Sequence, residues 1–353
     1  MRGLGVLSSR GPGRGVAALV GVAAGLALTC GEGEPYGVVI DGEVIPVIDM
    51  HLHPGDWDSI PPATQAFLAE RFPFPFKVNP GKVAAGILSP AGIVEELDAA
   101  GIHAGVLFAV YAPQTVGIAT NELVLRGVQD FPYRLRGLAS LRVDRWGEDA
   151  EEELARLDEA LSRPGMIGVK LAHAHMHFRM DDPAYFGIYE VAARRGKAVY
   201  LHTGTSPFPG IAVEPPYTDP RYMEAAIAAY PQVIFILGHL GYDFIRKEIG
   251  DLDACIDLAR RYPNVYLEPS AFGSEGGDPT GANLLESMRR IKEAGVVDRV
   301  IYGSDGPQSP GFVASYLERT VTAMKGADYD AEEIRAVLSG NFVRVFGQEG
   351  LVR

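Results

Sequence analysis

Two histidines separated by one residue close an apolar run, "VIDMHLHPG", at residues 47–55. Side chains in a β-strand alternate between faces, so His51 and His53 are expected to point the same way, with Asp49 on that face too. Two imidazoles at a strand end make half a metal site, and they become a whole one only where other ligands converge. Candidates recur at the ends of later apolar runs: His202 in "AVYLHTG", His239 in "FILGHLG" and Asp305 in "VIYGSDGP". Imidazoles facing a carboxylate suit Zn2+ first, with Mn2+ or Fe2+ as alternatives. Such an ion acidifies water and polarises a substrate oxygen, while a nearby carboxylate collects and returns the proton, a duty that Asp305 fits.

These residues lie far apart in sequence, so the fold has to gather them. Eight β-rich runs, at 44–53, 103–110, 135–141, 166–171, 198–204, 233–241, 265–270 and 300–305, alternate with amphipathic stretches such as "DAEEELARLDEALSRPG". That rhythm predicts an α/β fold, a single-domain (β/α)8 TIM barrel over residues 44–353, whose strand ends converge on one mouth. A doubly wound open sheet is the alternative, but no Gly-rich phosphate fingerprint follows the first strand. Parity would turn Tyr200 inward with His202, and Gly303 inward with Asp305. The aromatic- and Pro-rich segment 54–90 follows the His-x-His strand, where a barrel carries a βα loop, and is expected to be a lid or substrate wall or else a cover for the barrel rim. A formal charge of −13 argues against nucleic acid as a partner.

Residues 1–29 differ in kind. Arg2, Arg10 and Arg14 precede an apolar stretch at 15–29, and no acid occurs before Glu32, so the segment reads as a secretory signal. Its removal takes three arginines and no acid, lowering −13 to −16. The stretch ends in "ALTC", similar to a bacterial lipobox except at Ala27 and Thr29, so Cys30 is expected to be lipidated, with ordinary secretory cleavage or an uncleaved anchor as the alternatives. Residues 30–43 would then tether the catalytic body to a membrane of the bacterial cell envelope, facing the periplasm or the outer surface. The membrane would be met only through that anchor. Cys255, the other cysteine, is left without a partner and reads as a small core residue.

With "IDMHLH", "GVKLAHAHMHFRMDDP", "VYLHTG", "ILGHLG", "NVYLEPSA", "DRVIYGSDGP" and "LSGNFVRVFG", the chain resembles the amidohydrolase superfamily over residues 45–347. The closest likeness is to the amidohydrolase-related group (amidohydrolase 2), which also includes decarboxylases acting on carboxymuconate semialdehyde and resorcylate. The resemblance implies that His51, His53, His202 and Asp305 bind an essential divalent metal. It implies further that His239 binds a second metal or polarises the substrate and the metal-bound water. Lys170 ends the fourth strand, where many binuclear members carry a carboxylated, bridging lysine; the group that this chain resembles often works with one metal, and one is expected here. Members usually read "KLHP" where this chain has Lys170-Leu-Ala-His173, and His173, His175 and His177 read as loop residues over the mouth.

The reaction expected is metal-dependent hydrolysis of a small-molecule amide, ester or lactone. Nonoxidative decarboxylation of an aromatic or unsaturated acid is the alternative. A surface binding protein that keeps the metal without turnover is a third reading, against which the intact ligand positions argue. Tyr111, His177, Arg179 and the aromatics of 54–90 are candidate walls, and a homo-oligomer is compatible with all three readings.

Overall fold

The computed structural model describes residues 36–72 and 74–352, so the expected signal segment and Cys30 lie outside the described residues. Residues 36–43, expected as part of a tether, begin a folded hairpin: β1 (Val38–Ile40) pairs antiparallel with β2 (Glu43–Ile45). Its turn, Asp41-Gly42, has φ of 53° and 85°, the two positive values that a tight hairpin turn of this hand requires. Ile40 and Ile45 are buried, and the Gly37 N–H donates to the Gly101 carbonyl.

β3 (Ile48–Leu52) and β4 (Ala104–Phe108) begin a parallel sheet, and a short antiparallel ribbon, β5 (Val110–Ala112) and β6 (Gly117–Ala119), follows β4. The sheet continues through β7 (Leu135–Ala139), β8 (Met166–Leu171), β9 (Ala198–His202), β10 (Phe235–Gly238) and β11 (Val265–Glu268). Seven of the eight expected runs are therefore regular parallel strands, neighbours in sequence order. The eighth, 300–305, closes the curl irregularly, together with Gly306. It bridges Leu267 through Val300 and Leu52 through Gly306. Met50 N–H donates to the Tyr302 carbonyl and Asp305 N–H to the His51 carbonyl, but Tyr302 N–H turns away to Val337. That lost rung, with Asp305 in the left-handed region at φ 68°, explains why no regular strand forms there.

Helices cover the outside of the sheet. In Trp146–Ser162 the buried positions Glu153, Leu157 and Leu161 recur every four residues, the spacing of one helix face; Asn121–Asp130 is capped by the Thr120 hydroxyl. The strands alternate between two apolar layers. Leu107, Val199, Leu201, Leu237 and Leu267 pack under the helices, while Val106, Phe108, Leu138, Tyr200, Ile236, Tyr266 and Ile301 fill the barrel interior. Tyr200 thus lies inward, as its parity with His202 predicts. Where Gly303 leaves room, Glu268 and the His51 Cβ occupy it.

One parity expectation fails. Ile48 and Met50 both belong to the interior layer, and a register shift between Asp49 and Leu52 brings His51 inward as well. Asp49 therefore does not share the histidines' face. Its Oδ1 accepts the N–H groups of His51 and Ser304, tying the first strand to the closing run. Cys255 is buried in helix Leu252–Arg261, as a core residue should be. Among the described residues, no helix is long and apolar enough to cross a membrane.

Candidate metal centre

Three donor atoms converge at the barrel mouth. His51 Nε2 lies 2.9 Å from both His53 Nε2 and Asp305 Oδ1, and His53 Nε2 lies 3.0 Å from the same oxygen. Bonds of about 2.0–2.1 Å to a divalent ion place neighbouring ligand atoms about 3.0 Å apart on an octahedral face and about 3.4 Å apart in a tetrahedron. The triangle therefore fits a metal. Burial and the nearby Lys170 amine oppose charge on His51, but Asp305, helped by Glu268, outweighs them and raises its pKa.

The back of His51 fixes its tautomer. Nδ1 contacts Tyr200 Oη at 2.8 Å, Ser270 Oγ at 3.1 Å and Glu268 Oε1 at 3.3 Å. Tyr200 and Ser270 each donate to Glu268 Oε2 at 2.7 Å, so their oxygens are free to accept. Nδ1 then carries the proton and Nε2 offers its lone pair to the mouth, the carboxylate–imidazole support typical of metal-ligating histidines. Glu268 is fully buried; burial alone would raise its pKa, yet the charge and hydrogen bond of His51 hold it low. Sequence reasoning assigned Glu268 no role. The signal was present in "NVYLEPSA", an acid closing an apolar run as the other site residues do.

His239 is buried at the end of β10, with φ 62°. A non-glycine residue held there is strained, as is common where side chains are aimed for chemistry. Its Nδ1 meets Ser270 Oγ at 3.0 Å, and burial pushes its pKa down to about 4 although Asp305 pulls the other way, so it is neutral at pH 7. His202 lies beside it, with ring centroids 4.4 Å apart, and its Nε2 is 3.3 Å from the Thr205 carbonyl. Burial, then His239 and His175, hold His202 well below the usual imidazole pKa. Among the described residues, two groups of three donors converge, His51–His53–Asp305 and His51–His239–Glu268, and His202 belongs to neither. Lys170 is buried with its Nζ 4.2 Å over the Tyr200 ring and 5.0 Å over that of Phe108. Burial lowers the amine to about 7 against the pull of Asp305 and Glu268.

The three loop histidines separate. His173 and His175 lie in a single helical turn, His173–Met176, both buried, and burial depresses each to about 3. His173 stacks near Phe178, while His175 faces His202 with ring centroids 5.0 Å apart. His177, at φ 58°, ends the turn, and its Nε2 meets the Gly210 carbonyl at 2.7 Å.

A cavity of about 610 Å3 opens above the centre, bounded by His53, His175, His202, His239, Lys170 and Asp305. Segment 54–90 supplies Trp57, Phe67, Arg71 and Phe72 to its wall, and Phe208, Phe244, Lys247 and Gln308 face it from elsewhere. Three expected wall residues are absent from it. Tyr111 turns to the outer side of the β5–β6 ribbon, where its hydroxyl accepts the Asn121 N–H. His177 is held by Gly210, and Arg179 pairs with Asp181.

Parallel strands curled into a barrel, with polar side chains gathered at their C-terminal ends, define a TIM-barrel protein with its centre of chemistry in the mouth. The amidohydrolase family profile matches residues 48–348, and the chain belongs to that family. Several solved structures share the fold. A TIM-barrel protein from Bordetella bronchiseptica is 20% identical, with a TM-score of 0.64, over 88% of this chain and 100% of that one. The probable 2-pyrone-4,6-dicarboxylic acid hydrolase of Acinetobacter baumannii, with citric acid bound, is 20% identical at a TM-score of 0.57, over 86% and 100%. A dihydroxybenzoic acid decarboxylase from Polaromonas, with manganese and 2-nitroresorcinol bound, is 18% identical at 0.56, over 86% and 97%. No curated protein matches the chain.

Proposed function

We propose that this protein is a metal-dependent hydrolase that cleaves an ester, lactone or amide bond in a small carboxylic acid. The observation that carries the reading is the His51–His53–Asp305 triangle at the floor of a cavity whose wall holds the cationic side chains of Arg71 and Lys247. A bound divalent ion would supply Lewis acidity, polarising a substrate oxygen and acidifying water. The ion proposed is Zn2+, the first expectation, or Mn2+, since two imidazoles and a carboxylate suit either. One ion per chain is proposed, because Lys170 packs over aromatic rings rather than toward a second cation.

The chain's own groups divide the remaining work. Asp305 takes and returns the proton, being held ionised: burial disfavours its charge, but His51 and His53 keep its pKa well below the carboxylate range. His239, neutral and facing the cavity, keeps its proton on Nδ1, beside the Ser270 carbonyl and hydroxyl oxygens, so its Nε2 is left to accept a hydrogen bond from the attacking water. Arg71 lies 3.3 Å from the Phe67 ring centroid and donates to the Phe67 carbonyl, which leaves N–H groups for a substrate carboxylate. Arg71→Leu should raise KM for acidic substrates on the order of 10-fold, the scale of a charge-assisted hydrogen bond, with little change in kcat and none for neutral esters. An equal effect on both substrate types would remove Arg71 from recognition.

The test is product detection on metal-reconstituted protein offered lactone acids, aryl esters, amides and aromatic acids. Release of an acid with an alcohol or amine supports hydrolysis. Carbon dioxide as the product would instead establish decarboxylation, the second reading, which the aromatic wall of Trp57, Phe67, Phe72 and Phe208 favours.

Export and lipid anchoring through Cys30 belong to the same proposal, motivated by the basic start and "ALTC". Cys30→Ser should leave the signal unprocessed or free the protein from the membrane fraction. Unchanged processing and membrane association would rule lipidation out.

A further inference from the structure

Asp305 has two oxygens, and only one faces the histidines. Oδ1 lies 2.9 Å from His51 Nε2 and 3.0 Å from His53 Nε2, whereas Oδ2 accepts from Gln308 Nε2 at 2.8 Å. The same Nε2 is 3.2 Å from the Asp305 carbonyl oxygen. Both partners are acceptors only, so the amide has to present its NH2 group to them and its oxygen elsewhere. The turn that carries Gln308 is itself tied down. Gly306 N–H donates to Ser304 Oγ, Phe312 N–H to the Ser309 carbonyl, and Gly311 N–H to the Glu96 carboxylate at 3.0 Å from each oxygen. Gln308 also lines the cavity, so it stands at the centre rather than on a distant surface.

A carboxylate turns easily about its last torsion, whose potential is broad and roughly two-fold. Left alone, Asp305 could offer a cation either oxygen or both. A neutral donor fixed on Oδ2 removes that freedom, holding Oδ1 in the triangle and keeping Oδ2 out of it. The donor's neutrality matters, since a cation at this distance would compete with the metal for the same charge. We infer that Gln308 is a positioning residue that makes Asp305 a one-oxygen ligand through Oδ1. The inference rests on the metal centre proposed above and concerns its assembly, independent of the bond that is cleaved.

A local alternative exists, because a side chain reaching back three residues to a carbonyl could simply stabilise the turn. Metal affinity separates the two. Gln308→Met keeps the length and removes the N–H groups; the affinity of the metal-free full chain for Mn2+ or Zn2+ is then measured by chelator competition, beside its thermal midpoint. The expected result is a loss of affinity on the order of 10-fold, the usual scale for a partner behind a metal ligand, with the metal-free midpoint unchanged. The same substitution in an Asp305→Asn background should cost almost nothing further, because the residue acts through that carboxylate. Unchanged affinity in Gln308→Met, or an equal loss in both backgrounds, would overturn the inference, and so would a lowered metal-free midpoint without loss of affinity. No substrate enters these measurements. A wild-type chain that binds metal but hydrolyses nothing defeats the proposed reaction alone, whereas one that takes up no ion defeats both.

Discussion

His51→Ala combined with His53→Ala should empty the centre of metal and abolish turnover while the barrel still folds. The two imidazoles supply two of the three atoms in the triangle, and removing both leaves Asp305 with no converging donor at that point. Elemental analysis should fall from about one divalent ion per chain to background, since a lone carboxylate does not hold a transition metal at ordinary concentrations. Stability carries the same information. An ion that binds only the folded chain stabilises it by about 2.7 kcal/mol at a hundred times its Kd. Added metal should therefore raise the unfolding midpoint of the wild type and leave that of the double variant unmoved. Full metal occupancy in the double variant would show that the centre lies elsewhere, with His239 and Glu268 the next donors to examine. Two ions per wild-type chain would instead reopen a bridging role for Lys170, against its present seat over Tyr200.

What the sequence made legible follows from which rules are local. A His-x-His pair at a strand end, and further histidines and acids at later strand ends, can be recognised from alternation and from the convergence of barrel strands on one mouth. Seven strands and the wall role of 54–90 follow from the same reasoning. Asp49 defeats it because the shift between Asp49 and Leu52 is a property of the pairing with β4, invisible in either strand alone. The closing run fails as a regular strand for a related reason, since Tyr302 N–H bonds to Val337, distant in sequence. Tyr111 and Arg179 suit a cavity wall by residue type, but a ribbon and a local ion pair turn them away. Glu268 is legible only in part: an acid in an apolar run says that it is paired, not with whom. Gln308 carries no sequence signal, because its meaning depends on which oxygen of Asp305 is left over.

Asp305→Asn should retain the fold and much of its metal while losing on the order of 10² or more in turnover, the scale of a removed general base. The position, not the residue type alone, makes the argument. "GSDGP" is also a good turn sequence, and Asp305 at φ 68° would suit a residue present only to shape that turn. Its contacts say otherwise, since Oδ1 is shared between two imidazoles and Oδ2 is held by an amide, and neither oxygen accepts a hydrogen bond from a backbone N–H. Asparagine keeps one oxygen for the triangle but cannot accept a proton at neutral pH. Its NH2 would then face that of Gln308, a clash that the cavity-lining Gln308 side chain relieves by swinging away and giving up the contact, so the fold survives and the metal loses at most one weakened ligand. The measurement is kcat beside metal content across neutral pH. Near-normal turnover in a metal-loaded Asp305→Asn protein would take Asp305 out of proton transfer and leave it as a ligand alone, the role that decarboxylation, which needs no hydrolytic water, would require of it.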